Sequence, residues 1–321
     1  KVVVPFLSAG NWGGSSLHLR GNVEGFTRAA SKQKWLEIHG REHWTEFYTN
    51  YGISLQKRFF DYFLKGIDNG WDKQPPVMLR VRTVDDNFID RCENEWPIAR
   101  TQWTRLYLDA ANNALTTVLP GAARAEFKAL YSEGITFSTP PLEKETEITG
   151  PVAVKLFVSS STADADIFVI LRVFRPDGSE VVFKGAVDPH TPVAHGWLRA
   201  SHRKLDKTLS TAWRPYHPHD EIQPLVPGDV YELDIEVWPT SVIVPAGYRL
   251  ALTVRGKDYE YAGEIAELDF FKNSKLKGVG IYTHANPQLR PADLYGGTTT
   301  LHTGGKSGAY VLLPVIPAKS T

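Results

Sequence analysis

Eleven residues, Lys34 to Trp44 (KWLEIHGREHW), hold the side chains best suited to chemistry in this chain. Trp35, Leu36 and Ile38 form a short apolar run, Gly40 closes it, and His39 and His43 flank the glycine. A buried strand that ends in a glycine turn bearing histidine is how a parallel sheet presents a base at its carboxyl edge. Imidazole has an unperturbed pKa near neutrality, so it can take a proton and give it back. Without their surroundings the two residues read as ordinary loop histidines, so the rest of the chain must decide.

The other chemistry-bearing patterns are weaker. No GxSxG elbow occurs, and the nearest approach, Gly305-Lys306-Ser307-Gly308, lacks the second glycine in its place. There is no P-loop and no dinucleotide fingerprint. Asp164 and Asp166 have the types of a calcium pair, but a polar turn before an Ile167 strand explains them better. His217-Pro218-His219-Asp220 has metal-ligand types, and a solvated surface loop is the simpler reading. Gly196 to Arg203 (GWLRASHR) joins an aromatic to three cations; it suits an anion site or, more simply, Arg–carboxylate ties from a long loop. The lone cysteine, Cys92, makes neither a disulfide nor a CxxC metal site and reads as a buried or neutral thiol.

Composition narrows the class. Lys plus Arg equals Asp plus Glu at 36 each, which argues against a nucleic-acid or membrane-surface partner. Apolar residues make up 42%, with nine Trp, 13 Tyr and 15 Phe, a composition that packs rather than stays disordered. No apolar run reaches the length that spans a bilayer. The missing disulfide framework fits the cytoplasm. A chain of 321 residues suggests two domains.

The elements that must position the histidines come in two styles. Val2, Val3, Val4, Phe6 and Leu7 form a nearly continuous apolar run, expected to be a strand covered on both faces. Such a strand needs neighbours that nothing earlier supplies, so the chain reads as part of something longer. The run is otherwise an edge prone to self-association, as in a homo-oligomer. Ala9 to Gly14 turns sharply, and Ser15 or Ser16 can cap a helix carrying Leu17, Leu19, Val23, Phe26 and Ala30. After the Trp35–Ile38 strand a second helix, Ser54 to Lys65, stacks Leu55, Phe59, Tyr62 and Phe63 and stops at Gly66. From Pro75 the period changes to two. Strands are expected at 77–84, 103–109, 152–159, 167–175, 180–183, 230–238, 242–244, 249–255 and 310–315, with loops near Cys92 and over the polar stretch 112–149. Short strands separated by Pro176-Asp177-Gly178, Pro227-Gly228-Asp229 and Pro245-Ala246-Gly247 argue for a β-sandwich, and the long returns for a jelly roll.

Across these segments the chain resembles the carboxyl-terminal part of the CocE/NonD hydrolases, relatives of the X-Pro dipeptidyl-peptidases. The likeness is carried by LSAGNWGG, LHLRGNVEGF, KWLEIHGREHW, RFFDYFLKG, NEWPIART, SSSTADADIFVILRVFRPDG, GWLRASHRKLD and VWPTSVIVPAGYRLALTV. It implies that residues 1–74 close an α/β-hydrolase domain. Residues 75–321 are then an all-β jelly-roll β-sandwich of the galactose-binding-like kind, beside the active site. The implied activity is hydrolysis of esters or amides, X-Pro dipeptides included, by a Ser-Asp-His triad with no cofactor and no metal.

By the same resemblance His43 matches the triad histidine. The aspartate's place is filled by Gly13, a departure for which Glu24, Glu37 or Glu42 are the candidate replacements, none matched by motif. The nucleophile serine and the oxyanion donors belong to an amino-terminal hydrolase portion, the implied partner, so the chain by itself is expected to be inert. The contrasting reading is a non-catalytic β-sandwich binding module, to which the many aromatics lend loose support.

Overall fold

In the computed structural model, which describes residues 2–14, 17–41, 44–185, 188–264 and 276–318, the chain opens on a parallel unit. β1 (Phe6–Asn11) passes through a 3-10 turn at Trp12–Gly14 into α1 (Leu19–Arg28). β2 (Lys34–His39) lies parallel beside β1, and α2 (Asn50–Lys65) follows. Strand alternation divides β2 between the helices. Leu36 and Ile38 pack on Leu19, Val23 and Phe26 of α1, whereas Trp35 packs on Leu55 and Phe59 of α2. Burying such a side chain contributes about 1.5–3 kcal/mol. The Thr49 side chain accepts the Gly52 N–H at 3.2 Å to start α2, and Gly66 at φ +67° ends it, a backbone angle that costs glycine nothing.

In the rest of the described chain nearly all the regular structure is strand. β3 (Val77–Thr83) extends the parallel unit beside β2 and takes β4 (Phe88–Glu93) as an antiparallel partner. Next come β5 (Gln102–Asp109), β6 (Ala114–Thr116), β7 (Ala123–Lys128), β8 (Ile135–Ser138), β9 (Thr146–Ser160), β10 (Asp166–Phe174), β11 (Ala194–Arg199), β12 (Tyr231–Val244) and β13 (Arg249–Arg255). A short helix, α3 (Ala292–Tyr295), precedes β14 (Thr298–Thr303) and β15 (Tyr310–Ile316). β9 is the hub: β12 pairs along nearly all of one side, while β15 and β14 divide the other. Between these strands lies the largest core, including Val152, Val154, Leu156, Val169, Leu171, Leu233, Ile235, Leu252 and Val311.

Several expectations are corrected. Val2, Val3 and Val4 lie outside β1 and are 50–68% exposed, because the described residues place nothing against them. The region near Cys92 is strand β4, and Cys92 is exposed on its outward face rather than buried. Residues 112–149 hold β6, β7, β8 and the start of β9 instead of one surface loop. Two expected strands, 230–238 and 242–244, are one strand with a register shift between Val237 and Thr240. Residues 180–183 form isolated bridges, Phe174 with Glu180 and Phe183 with Thr191. Helix α1 starts at Leu19, and the candidate caps Ser15 and Ser16 lie outside the described residues.

Arg82 joins the two halves. It is 1% exposed, and its guanidinium donates to Ser241 O (3.0 Å), Thr240 Oγ1 (2.8 Å) and Val193 O (3.1 Å) while lying 4.0 Å over the Phe183 ring. Burial pulls its pKa down to about 9, yet carbonyls and the ring face still accept the cation. It thereby ties β3 to the irregular turn of β12 and to the 183–193 segment. Arg82→Ala removes the guanidinium from Ser241 O and Thr240 Oγ1, while Val193 O keeps the Thr240 hydroxyl as donor, and is expected to cost on the order of 3–5 kcal/mol, read as a lower urea midpoint. An unchanged midpoint would show that solvent replaces the guanidinium.

His195 on β11 gives the fold an acid limit. Burial, aided by the nearby His284 and opposed by Asp258, pushes its pKa down to about 4. The fold therefore keeps the ring neutral while the unfolded chain protonates it from pH ~6.5 downward. The resulting stability is complete above ~6.5 and is lost as pH falls towards 4, to a total on the order of 3 kcal/mol. His195→Gln is expected to flatten that loss between pH 7 and 4.5, measured by urea unfolding at each pH.

Candidate active site at the carboxyl edge of the parallel strands

β1 and β2 deliver their ends to one edge. β1 finishes at Asn11, whose Nδ2 donates to Arg41 O at 2.7 Å and so holds the turn after β2 against the end of β1. In the turn after β1, the Trp12 indole N–H donates to Arg80 O of β3 at 2.8 Å.

Gly13, where the resemblance expects an aspartate, has no room for any side chain. An added Cβ would overlap Gly185 Cα and stand 2.8 Å from Lys184 O, because the 183–191 hairpin lies directly on it. Glu24, one candidate replacement, is bound elsewhere: it accepts from Arg214 at 2.5 Å and lies 3.5 Å from Arg28. Glu42 and His43 lie outside the described residues.

Glu37 is different. On β2 it is two residues from His39, so the two side chains share a face. His39 Nδ1 stands 2.9 Å from Glu37 Oε2, and Tyr51 OH donates to Glu37 Oε1 at 3.2 Å. Glu37 and His39 are both buried. Burial first, then the Glu37 carboxylate, holds the Tyr51 phenol well above its usual range, so it remains a donor. A carboxylate only accepts, so in the neutral ring this contact places the imidazole proton on Nδ1 and the lone pair on Nε2. Nε2 has no hydrogen-bond partner among the described residues.

Below this pair a second ionic layer closes the site. Arg80 meets Glu46 at 2.7 Å and Asp90 at 2.9 Å and lies 5.0 Å over the Tyr51 ring. Burial opposes the Arg80 cation, but Asp90 and Glu46 outweigh it and raise its pKa. Glu37 and His39 line a cavity of about 410 Å³ walled by Leu7, Trp44, Tyr48, Leu55 and Phe59. Carboxylate, oriented imidazole and an open nitrogen in apolar surroundings can accept a proton from a donor placed in that cavity.

The other motifs resolve structurally. Asp164 accepts from Ser201 N (2.9 Å), Ser201 OH (2.6 Å) and Tyr295 OH (3.2 Å), and Asp166 is held by Arg199 (2.8 Å) and Arg290 (2.7 Å), so both serve ties rather than calcium. The sequence reading weighed Glu37 only as a partner for His43 and missed Tyr51. The i, i+2 spacing of Glu37 and His39 on a strand was the available signal.

The profile of the X-Pro dipeptidyl-peptidase C-terminal non-catalytic domain matches residues 69–310. The chain belongs to this family. A protein named as a serine esterase in Mycobacterium bovis (strain ATCC BAA-935 / AF2122/97) is 27% identical over 245 residues, 63% of this chain and 35% of its own length. The cocaine esterase of Rhodococcus sp. (strain MB1 Bresler) is 24% identical over 303 residues, 82% of this chain and 46% of its own. The crystal structure of a CocE/NonD family hydrolase from Staphylococcus aureus, 29% identical, superposes at a TM-score of 0.88 over 98% of this chain and 55% of that one. The chain is thus similar to the carboxyl-terminal portion of CocE/NonD hydrolases and spans roughly a third to just over a half of these relatives. No described helix is long and apolar enough to cross a membrane.

The contact at Gly13 is directly testable. Gly13→Ala and Gly13→Asp are each expected to lower stability by about 1–3 kcal/mol through overpacking. Gly21→Ala, inside α1 with nothing within 4 Å, is expected to raise it by about 0.5–1 kcal/mol. Equal thermal midpoints for the Gly13 variants and the parent would show that the hairpin yields.

Proposed function

We propose that this chain is the carboxyl-terminal portion of a serine hydrolase that cleaves esters or amides, X-Pro dipeptides among the candidate substrates, by acyl-enzyme chemistry. In this reading residues 1–74 complete an α/β-hydrolase domain. Residues 75–321 form a jelly-roll β-sandwich beside the site. An amino-terminal portion supplies the nucleophile serine and oxyanion donors. The observation that carries it is the superposition on the Staphylococcus aureus hydrolase. It extends over 98% of the chain and so takes in the parallel unit as well as the non-catalytic domain.

The chain's contribution to the reaction is a base from the segment that follows β2 in the sequence. His43 takes the serine proton as the acyl-enzyme forms and passes it to the leaving group, and then activates the water that releases the acid. Gly13 cannot supply the orienting carboxylate, and Glu37 is the described carboxylate that already orients an imidazole in this segment. The binding-module reading draws on one feature, the Trp103 and Trp213 rings stacked 4.8 Å apart on a half-exposed face.

Intact mass spectrometry after treatment with a fluorophosphonate separates the readings. The 321-residue chain is expected to take no adduct alone, and one adduct is expected on the amino-terminal portion when both are present. His43→Ala is then expected to lower turnover roughly ten-thousand-fold with an unchanged circular dichroism spectrum. No adduct with both portions present would leave a binding module; full turnover in His43→Ala would remove that residue from the mechanism.

A further inference from the structure

Two histidines that the proposed chemistry does not use meet at a second cavity. His202 ends the 3-10 turn Ala200–His202 after β11, and His219 lies in the long loop that returns to β12. Their Nδ1 atoms are 3.1 Å apart, with ring centroids at 5.2 Å and ring planes tilted by 47°. Both line a cavity of about 460 Å³ together with Trp197, Arg199 and His284.

Neighbouring residues hold both rings in place. Ser201 is tied through its amide and hydroxyl to the buried Asp164, at 2.9 and 2.6 Å, which fixes the turn carrying His202. His217 spans from Lys204 O (3.0 Å) to Asp234 O (2.8 Å) and pins the loop to β12. Between that anchor and the cavity, His219 adopts φ +54°, a region few side chains enter. The nearby cations are neutralised: Arg199 pairs with Asp166, Arg20 with Glu236, and Lys204 with Asp220 and Glu221.

Two nitrogens held by one ion at ~2.0–2.1 Å stand roughly 2.9–3.4 Å apart, depending on whether the angle at the metal is octahedral or tetrahedral. The observed separation falls inside that interval, and the ion would replace the single proton that otherwise sits between the rings. We infer that His202 and His219 form a two-imidazole site for a divalent transition-metal ion of the zinc, cobalt, nickel or copper class. Among the described residues no three His, Cys, Asp or Glu side chains are placed to hold a metal. The remaining positions are therefore filled by water or by an anionic group in the cavity, so this is an open site. Imidazole donors select these borderline ions over calcium and magnesium.

The test is calorimetric titration of the protein with zinc chloride, repeated with cobalt chloride and read by absorbance. One ion per chain is expected, with binding weakened at least tenfold in His202→Ala and in His219→Ala and unchanged in His302→Ala, whose ring bonds Ser159 elsewhere. A second measurement needs no variant: zinc should protect His202 and His219 of the parent protein from diethylpyrocarbonate, mapped by peptide mass. Absence of saturable binding, unchanged affinity when His202→Ala and His219→Ala are combined, or unprotected histidines at saturating zinc would each overturn the site. None of these outcomes depends on the serine-hydrolase reading.

Discussion

The buried guanidinium of Arg82 is the constraint on which the arrangement depends. It sits where the parallel strands meet the antiparallel ones, and β3 pairs with β12 at that place through Arg82–Val242 and Thr83–Ile243. Two bridged residue pairs make a thin seam between the parallel and antiparallel parts of the sheet. The cation thickens it by bonding the irregular turn of β12 and, through Val193 and Phe183, the hairpin beside them. That hairpin is the segment that lies on Gly13. The same residue that fastens the two halves therefore also decides what can stand at the end of β1.

Seen this way, the edge of the parallel unit is shaped from the β side. Backbone occupies the expected aspartate's place, and the carboxylate that does orient an imidazole comes from within β2 itself. Glu37 is anchored twice, by His39 and by Tyr51, and Tyr51 in turn lies beneath the Arg80 cation. Positioning here flows outward from a buried network and not inward from a loop.

What could be read from the sequence followed from periodicity. β2 and α2 were legible because their apolar spacing is unambiguous and Gly66 marks an end; β9, β10 and β13 were legible as runs of Val, Ile and Leu. β4, β11 and β14 were not. Phe88-Ile89-Asp90-Arg91-Cys92-Glu93 mixes charge with apolar residues because it is an edge strand. Ala194 to Arg199 holds His and Gly where aromatic packing and backbone contact replace aliphatic burial, and Thr298 to Thr303 is mostly threonine. The opposite error arose at Val2–Val4, since apolarity reports a tendency to be buried but not whether anything arrives to do it. The pairing of His219 with His202 instead of His217 was invisible for a simpler reason: contacts seventeen residues apart through a loop leave no periodic trace.

The hub position of β9 also has a kinetic consequence. Its partners lie at residues 231–244 on one side and at 298–303 and 310–316 on the other, so its hydrogen bonds close loops of roughly seventy to well over a hundred residues. Each such closure costs chain entropy before any pairing returns it, which makes formation of the β part slow and all-or-none. During synthesis β9 emerges long before β15 exists. Until then its apolar central strand waits with a bare edge, and the molecule is most exposed to misassociation in that interval.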